Sequence, residues 1–130
     1  MKQLVPPDAQ PRRFPVLSSD DQLNDRIQTI CGRLNNVFEP VFFADEEDHL
    51  EFVRYELPEF QFVHFSDGNI EPFAFLDKIL DDPWLHYGGI IGAYSRKDAR
   101  RVRQLPRETN VVSLIPRREF VETFFRVLLI

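Results

Sequence analysis

A run of four acidic residues is the part of the sequence whose side chains could bind a metal ion. Asp45, Glu46, Glu47 and Asp48 follow the apolar residues 41–44, a short run typical of a buried parallel strand. Ligands of open α/β sheets bind at the carboxyl ends of the strands, and Mg²⁺ prefers carboxylate oxygens. We therefore name Asp45 and Glu46 as candidate metal ligands. The alternative is an acidic helix start, which the helix dipole favours.

A second candidate site is a basic cluster later in the chain. Its members crowd one predicted short helix and are Arg96, Lys97, Arg100, Arg101 and Arg103. A basic helix of this kind can bind the phosphate groups of a small anion, a nucleotide or a nucleic acid. Nucleic acid is not the expected partner, because the net charge is −5 and no aromatic residues interleave with the cluster. An acidic partner surface or water is the alternative.

The other reactive residue types form no pattern that predicts catalysis. His49, His64 and His86 are scattered along the chain, and Cys31 is the only cysteine. We predict structural roles for all four, because metal sites and nucleophilic pairs require partners at suitable spacing. The glycines near residue 90 precede or lie within a predicted strand, whereas a phosphate loop follows one. A P-loop or dinucleotide site is therefore not predicted.

Alternating strands and helices are predicted to position these residues in a chain of one-domain size, 130 residues. The proline-rich residues 1–17 are interpreted as an extended arm, and residues 18–38 as an amphipathic helix. Residues 39–130 are expected to contain consecutive strand–helix units. This pattern predicts a three-layer, flavodoxin-like α/β domain with a mainly parallel sheet of four to five strands and an extra N-terminal helix.

The segment in which residues 41–44 run into Asp45 and Glu46 resembles the start of a bacterial two-component receiver domain. Residues 60–68 resemble that family's second strand and Asp-Gly turn, and residues 72–80 resemble its second helix. The resemblance implies a receiver fold and a signalling role. It also implies Mg²⁺ held by strand-end carboxylates, with an Asp at the end of the third strand attacking phosphorus.

The third strand decides whether the resemblance extends to phosphorylation. In one register the acceptor position falls on Ala93 or Tyr94. In the other it falls on His64 or Phe65, and Ile115-Pro116 then stands in place of the family's Lys-Pro. None of these side chains can form an acyl phosphate. The resemblance therefore implies a degenerate pseudo-receiver that is not an enzyme, with Mg²⁺ at Asp45 and Glu46 as the only cofactor considered.

We expect a non-catalytic signalling or regulatory module that acts by protein–protein contact. The expected partner is another protein, a fused effector domain beyond the apolar end of the chain, or a second copy in a homodimer. No apolar run is long enough for a signal peptide or a membrane span, and a reducing cytoplasm is expected from the single cysteine. The predicted interaction faces are apolar helix faces that comprise Leu23, Ile27, Ile30, Leu34, Phe124 and Leu128.

Two other functions remain open at this stage. A Mg²⁺-dependent phosphoacceptor or phosphohydrolase would use Asp45, Glu46 or Asp67. An anion or nucleotide sensor would use the basic cluster at residues 96–103.

Overall fold

The computed structural model describes residues 11–65, 71–85, 88–98, 100 and 111–116. Its five strands are β1 (Arg12–Leu17), β2 (Phe38–Phe43), β3 (Phe60–His64), β4 (Gly89–Tyr94) and β5 (Val111–Pro116). The helices are α1 (Asp21–Arg33), α2 (Glu46–Glu56) and α3 (Pro72–Asp81), and a short 3-10 turn (Arg96–Asp98) follows β4. All neighbouring strands are parallel, in the order β2-β1-β3-β4-β5. The predicted α/β class and parallel sheet are confirmed.

Helices cover both faces of the sheet. On one face, α1 packs Leu23, Ile27 and Ile30 against a cluster that includes Phe14 and Phe62. On the other face, α2 and α3 bury a second cluster, whose members include Leu17, Leu50, Val53, Val63, Phe75, Leu76 and Ile79. Parallel strands joined by helices require this three-layer arrangement, because each strand is buried on both sides. No helix in the described ranges is long and apolar enough to cross a membrane.

The structure corrects the interpretation of residues 1–17 as an arm, since Arg12–Leu17 is an interior strand of the sheet. Phe14, Val16 and Leu17 are fully buried there, and residues 1–10 lie outside the described part of the chain. Pro15 is tolerated because pairing with β3 begins only at the next residue, Val16. A proline inside a strand usually argues against that assignment, which is why the sequence pattern concealed β1.

Pro40 is accommodated in a different way, because β2 is an edge strand. The backbone N–H groups of Arg12 and Ser18 donate to the carbonyls of Val37 (2.8 Å) and Phe43 (2.9 Å). Backbone groups alternate in direction along a strand, so the odd-numbered residues bond to β1 and the nitrogen of Pro40 faces the open edge. Proline there costs no ladder hydrogen bond, and it removes one donor from the exposed edge.

The N-terminal helix is not an addition to the domain. It is α1, the connection from β1 to β2, so the predicted boundary between residues 18–38 and residues 39–130 is wrong. The prediction that Leu23, Ile27 and Ile30 form an external interaction face is also wrong, because these side chains are buried against the sheet and Leu34 packs at the margin of the same cluster. Phe124 and Leu128 lie outside the described residues.

Substitution of glycine by alanine is expected to have opposite effects on the free energy of unfolding at two positions. A methyl group at Gly88 would lie 2.5 Å from the carbonyl oxygen of Glu59 and would also clash with that of Pro58, whereas one at Gly32 in α1 would meet nothing within 4 Å. Gly88→Ala should lower the free energy of unfolding by about 2 kcal/mol, because backbone must move. Gly32→Ala should raise it by up to about 1 kcal/mol through helix propensity. Urea denaturation followed by Trp84 fluorescence measures both, and equal effects would contradict the close approach at Gly88.

Candidate functional site at the carboxyl edge of the sheet

The strand order identifies where a ligand crevice should lie. From β1 the chain crosses to β2 on one side, and from β2 it returns past β1 to β3 on the other side. Ligands of open α/β sheets bind at such a switch point, outside the carboxyl ends of the two strands that flank it. Leu17 of β1 pairs with Val63 of β3, so Ser18 and His64 are the next residues on each side of the crevice.

Ser18 is held in place by its hydrogen bonds. It is only 3% exposed, and its backbone N–H donates to the carbonyl of Phe43 (2.9 Å). Its Oγ accepts from the backbone N–H of Asp20 (3.2 Å), and its carbonyl accepts from Nδ2 of Asn24 (3.2 Å). Asp20 in turn caps α1, since its Oδ1 accepts from the N–H of Leu23 (3.0 Å). The end of β1 thus presents a buried hydroxyl and a helix cap.

The end of β3 is also buried and carries no carboxylate at His64 or Phe65. Both residues are 3% exposed. His64 pairs with Ala93 of β4, and the N–H of Phe65 donates to the Ala93 carbonyl (2.8 Å). The ring of Phe65 packs edge-on against that of Phe75, with 6.4 Å between centroids. The residue directly after the histidine therefore packs its ring into the core cluster under α2 and α3.

Comparisons with known proteins agree with this architecture. No family model and no curated protein matches the chain, but solved structures do. The bacteriophytochrome response regulator AtBRR matches with a TM-score of 0.70 at 14% identity, over 92% of this chain and 91% of that chain. A response-regulator receiver domain from Rhodospirillum rubrum matches with a TM-score of 0.68 at 10% identity, over 88% and 89%. The phosphorylated cyanobacterial phytochrome response regulator RcpA matches at 0.66 and 14%, over 92% and 89%.

The chain has the receiver fold. The register with residues 60–65 as the third strand is confirmed, because residues 12–17 provide the first strand. The register that counted residues 41–44 as first, and so placed the acceptor at Ala93 or Tyr94, is wrong. In this register the predicted acceptor position falls at His64 or Phe65, which stays a prediction, and Ile115-Pro116 ends the fifth strand. Asp67 lies outside the described residues.

The predicted metal ligands lie at the outer strand of this receiver fold. Asp45 follows β2 and caps α2, since its Oδ2 accepts from the backbone N–H of Asp48 (3.3 Å). Glu46 lies 3.6 Å from Nζ of Lys78 on α3. These are the contacts of a helix start and an ion pair, after the strand that neighbours β1 on the side opposite β3. Among the described residues, no group of three or more potential ligands could hold a metal ion, and a metal role for Asp45 and Glu46 stays a prediction.

The basic cluster is described only in part. Arg96–Asp98 forms a 3-10 turn, in which the hydroxyl of Ser95 donates to Oδ2 of Asp98 (3.2 Å). Lys97 and Arg100 are exposed. Arg101 and Arg103 lie outside the described residues, so the predicted anion site stays a prediction.

A buried polar chain connects α2, β3 and the segment before β4. His49 Nε2 lies 2.9 Å from Oε1 of Gln61, and Nε2 of Gln61 donates to the carbonyl of Leu85 (2.9 Å). The His49 ring contacts the rings of Phe43 and Phe75 edge-on, each at 6.0 Å between centroids. Burial lowers the pKa of His49 to about 4, against the weaker opposing effect of the Gln61 hydrogen bond. The neutral histidine therefore packs as a core residue, as the sequence predicted.

Cys31 is not suited to act as a nucleophile. It is buried in the α1 cluster, and burial raises the pKa of its thiol to about 11. The thiolate is the reactive form, so Cys31 is a packing residue.

His49 makes stability dependent on pH. Between about pH 4 and pH 6.5 the unfolded chain binds a proton that the folded chain excludes, so the free energy of unfolding falls as the pH falls through this range. From about pH 7 to about pH 5 the wild type should lose about 2 kcal/mol more than His49→Gln, which keeps a hydrogen-bonding side chain but does not titrate. Urea denaturation at the two pH values measures this, and equal losses would contradict a neutral, buried His49.

Proposed function

We propose that the protein is a non-catalytic signalling or regulatory module that acts by binding another protein. The observation that carries the proposal is the composition of the β1–β3 crevice, where the buried residues Ser18 and His64 directly follow the paired residues Leu17 and Val63. The receiver fold supports a signalling role by analogy. The residues at the crevice support a receiver that phosphorylation does not switch.

The chemistry of phosphoryl transfer explains why this pair matters. An acyl phosphate requires a carboxylate nucleophile, and a protein site for Mg²⁺ usually supplies one or two carboxylates, with water as further ligands. Ser18 has both its hydroxyl and its backbone engaged in local hydrogen bonds, and Asp20 is engaged as a helix cap. Phe65 occupies the position after His64 with a buried ring. Because these groups are engaged in hydrogen bonds within the domain, they favour a packed strand end over a cation site.

Protein contact is supported by the distribution of exposed apolar side chains. Three large ones in the described residues are exposed, namely Val37 (51%), Tyr55 (76%) and Trp84 (58%). Val37 precedes β2, Tyr55 lies in the last turn of α2, and Trp84 lies between α3 and β4. In a parallel βα sheet these positions share the amino end, opposite the crevice. Tyr and Trp are enriched among the residues that dominate binding energies, so we propose that contact uses this part of the surface.

The partner is proposed to be a separate protein or a fused effector domain, and the compartment a reducing cytoplasm. The free, buried Cys31 supports that compartment.

Incubation with acetyl phosphate and Mg²⁺ tests the proposal. We expect intact-mass analysis to show no phosphoryl adduct, because His64 and Phe65 cannot supply a carboxylate. A receiver domain with an intact site serves as the positive control, and light scattering of the same sample gives the assembly state. An adduct that disappears in Asp67→Asn would contradict the proposal and support the phosphoacceptor alternative.

Thermal denaturation with added phosphate or nucleotide separates the proposal from the sensor alternative. A ligand that binds the folded chain raises its Tm by mass action, and we expect no rise. A rise that is lost in Lys97→Gln and Arg100→Gln would instead support an anion site at the basic cluster.

A further inference from the structure

A groove of about 360 Å³ runs along the outer face of α2, beside the edge of the sheet. Its helix wall comprises Asp48, Glu51, Phe52, Tyr55 and Glu56, and Arg13 of β1 lies opposite. The groove extends from Phe43 and Asp48, near the carboxyl end of the sheet, to Arg13 and Tyr55, near its amino end, and none of its lining residues is Ser18, His64 or Phe65. Its amino end lies at the same end of the domain as the exposed apolar residues.

The helix wall combines negative charge with an open aromatic ring. Asp48, Glu51 and Tyr55 are spaced three and four residues apart, so they lie on one face of α2. Tyr55 is 76% exposed. Among the described residues, the carboxylates of Asp48 and Glu51 form no ion pair. The free carboxylates and the free ring face solvent together.

On the other wall of the groove, a guanidinium group of the protein itself contacts an aromatic ring and carboxylates. The guanidinium of Arg13 lies 5.2 Å from the centroid of the Phe52 ring and 3.1 Å from Oε1 of Glu56. A second carboxylate, that of Glu39, lies 3.7 Å from Nε of Arg13. The single positive charge in the groove is therefore balanced by two negative charges. Asp48 and Glu51, beside Tyr55, are left to attract a further cation.

We propose that this groove binds a lysine- or arginine-bearing segment of a partner protein. Carboxylates complement its charge, and an exposed aromatic face attracts an ammonium or guanidinium group. Side-chain recognition fits the neighbouring edge of the sheet, because Pro40 removes a donor that an added strand would use. The inference rests on the proposed function as an interaction module and specifies its surface and the chemistry of its partner.

Fluorescence anisotropy with the full chain and a labelled six-arginine peptide tests the groove, with a six-glutamate peptide as the charge-reversed probe. Glu51→Gln and Tyr55→Ser should each weaken arginine-peptide binding about threefold, the size expected for one exposed ion pair or one exposed cation–π contact. Asp77→Asn is the matched control, because it also removes one exposed negative charge but lies on α3, outside the groove. It should bind like the wild type.

Equal weakening by Asp77→Asn and Glu51→Gln would overturn the proposal, since only the net charge of the protein would then matter. Absence of arginine-peptide binding would overturn it as well. Concentration-dependent dimerisation without peptide, lost in Glu51→Gln, would also overturn it, because a second copy would then be the occupant. The acetyl phosphate experiment is independent of these variants. An adduct there would overturn the non-catalytic function alone, whereas loss of groove specificity without an adduct would overturn only the groove.

Discussion

The position of β1 inside the sheet is the constraint on which the rest of the structure depends. The strand pairs with β2 along its whole length but with β3 only at Val16 and Leu17. That short pairing sets the register of the two halves of the sheet, and so it sets which residues meet at the switch point. Pro15 limits how early the pairing can begin, because it has no N–H to donate. One proline thus limits the backbone pairing of β1 with β3 to the end that forms the candidate site.

Hydrophobic periodicity predicted β2, β3, β4 and the three helices, because their apolar residues recur at the spacing of strands or helices. It failed at β1, where prolines and two arginines hid the alternation of Phe14 and Val16. That single omission moved every later strand by one place, and it gave Asp45 and Glu46 a central position that they do not have. His64 was identified only in one of two registers. Ser18 was missed because its strand was missed.

Charge is distributed unevenly between the two ends of the sheet. Exposed ion pairs join Arg12 to Glu59, Arg13 to Glu56 and Arg54 to Asp82, near the amino ends of the strands. Exposed pairs of this kind each contribute about 0–1 kcal/mol, so they add little to stability. These pairs do determine which carboxylates keep an unneutralised charge at the surface. At the carboxyl end, the described residues beside the crevice between β1 and β3 are a serine, a histidine and a phenylalanine, and Asp20 and Asp45 cap the helices next to it.

The serine, histidine and phenylalanine at the crevice avoid the repulsion energy that a cluster of carboxylates would have there. Like charges gathered at one edge repel each other and raise pKa values unless a cation neutralises them. A domain built that way has a folded state that responds to metal and to phosphoryl charge. At the crevice itself Ser18 is hydrogen-bonded and Phe65 packs against Phe75, while the neighbouring carboxylates of Asp20 and Asp45 are each held at the helix N-terminus that they cap. Under the proposed function, the crevice keeps one packed conformation. The exposed carboxylates of the domain then contribute to the recognition of a partner.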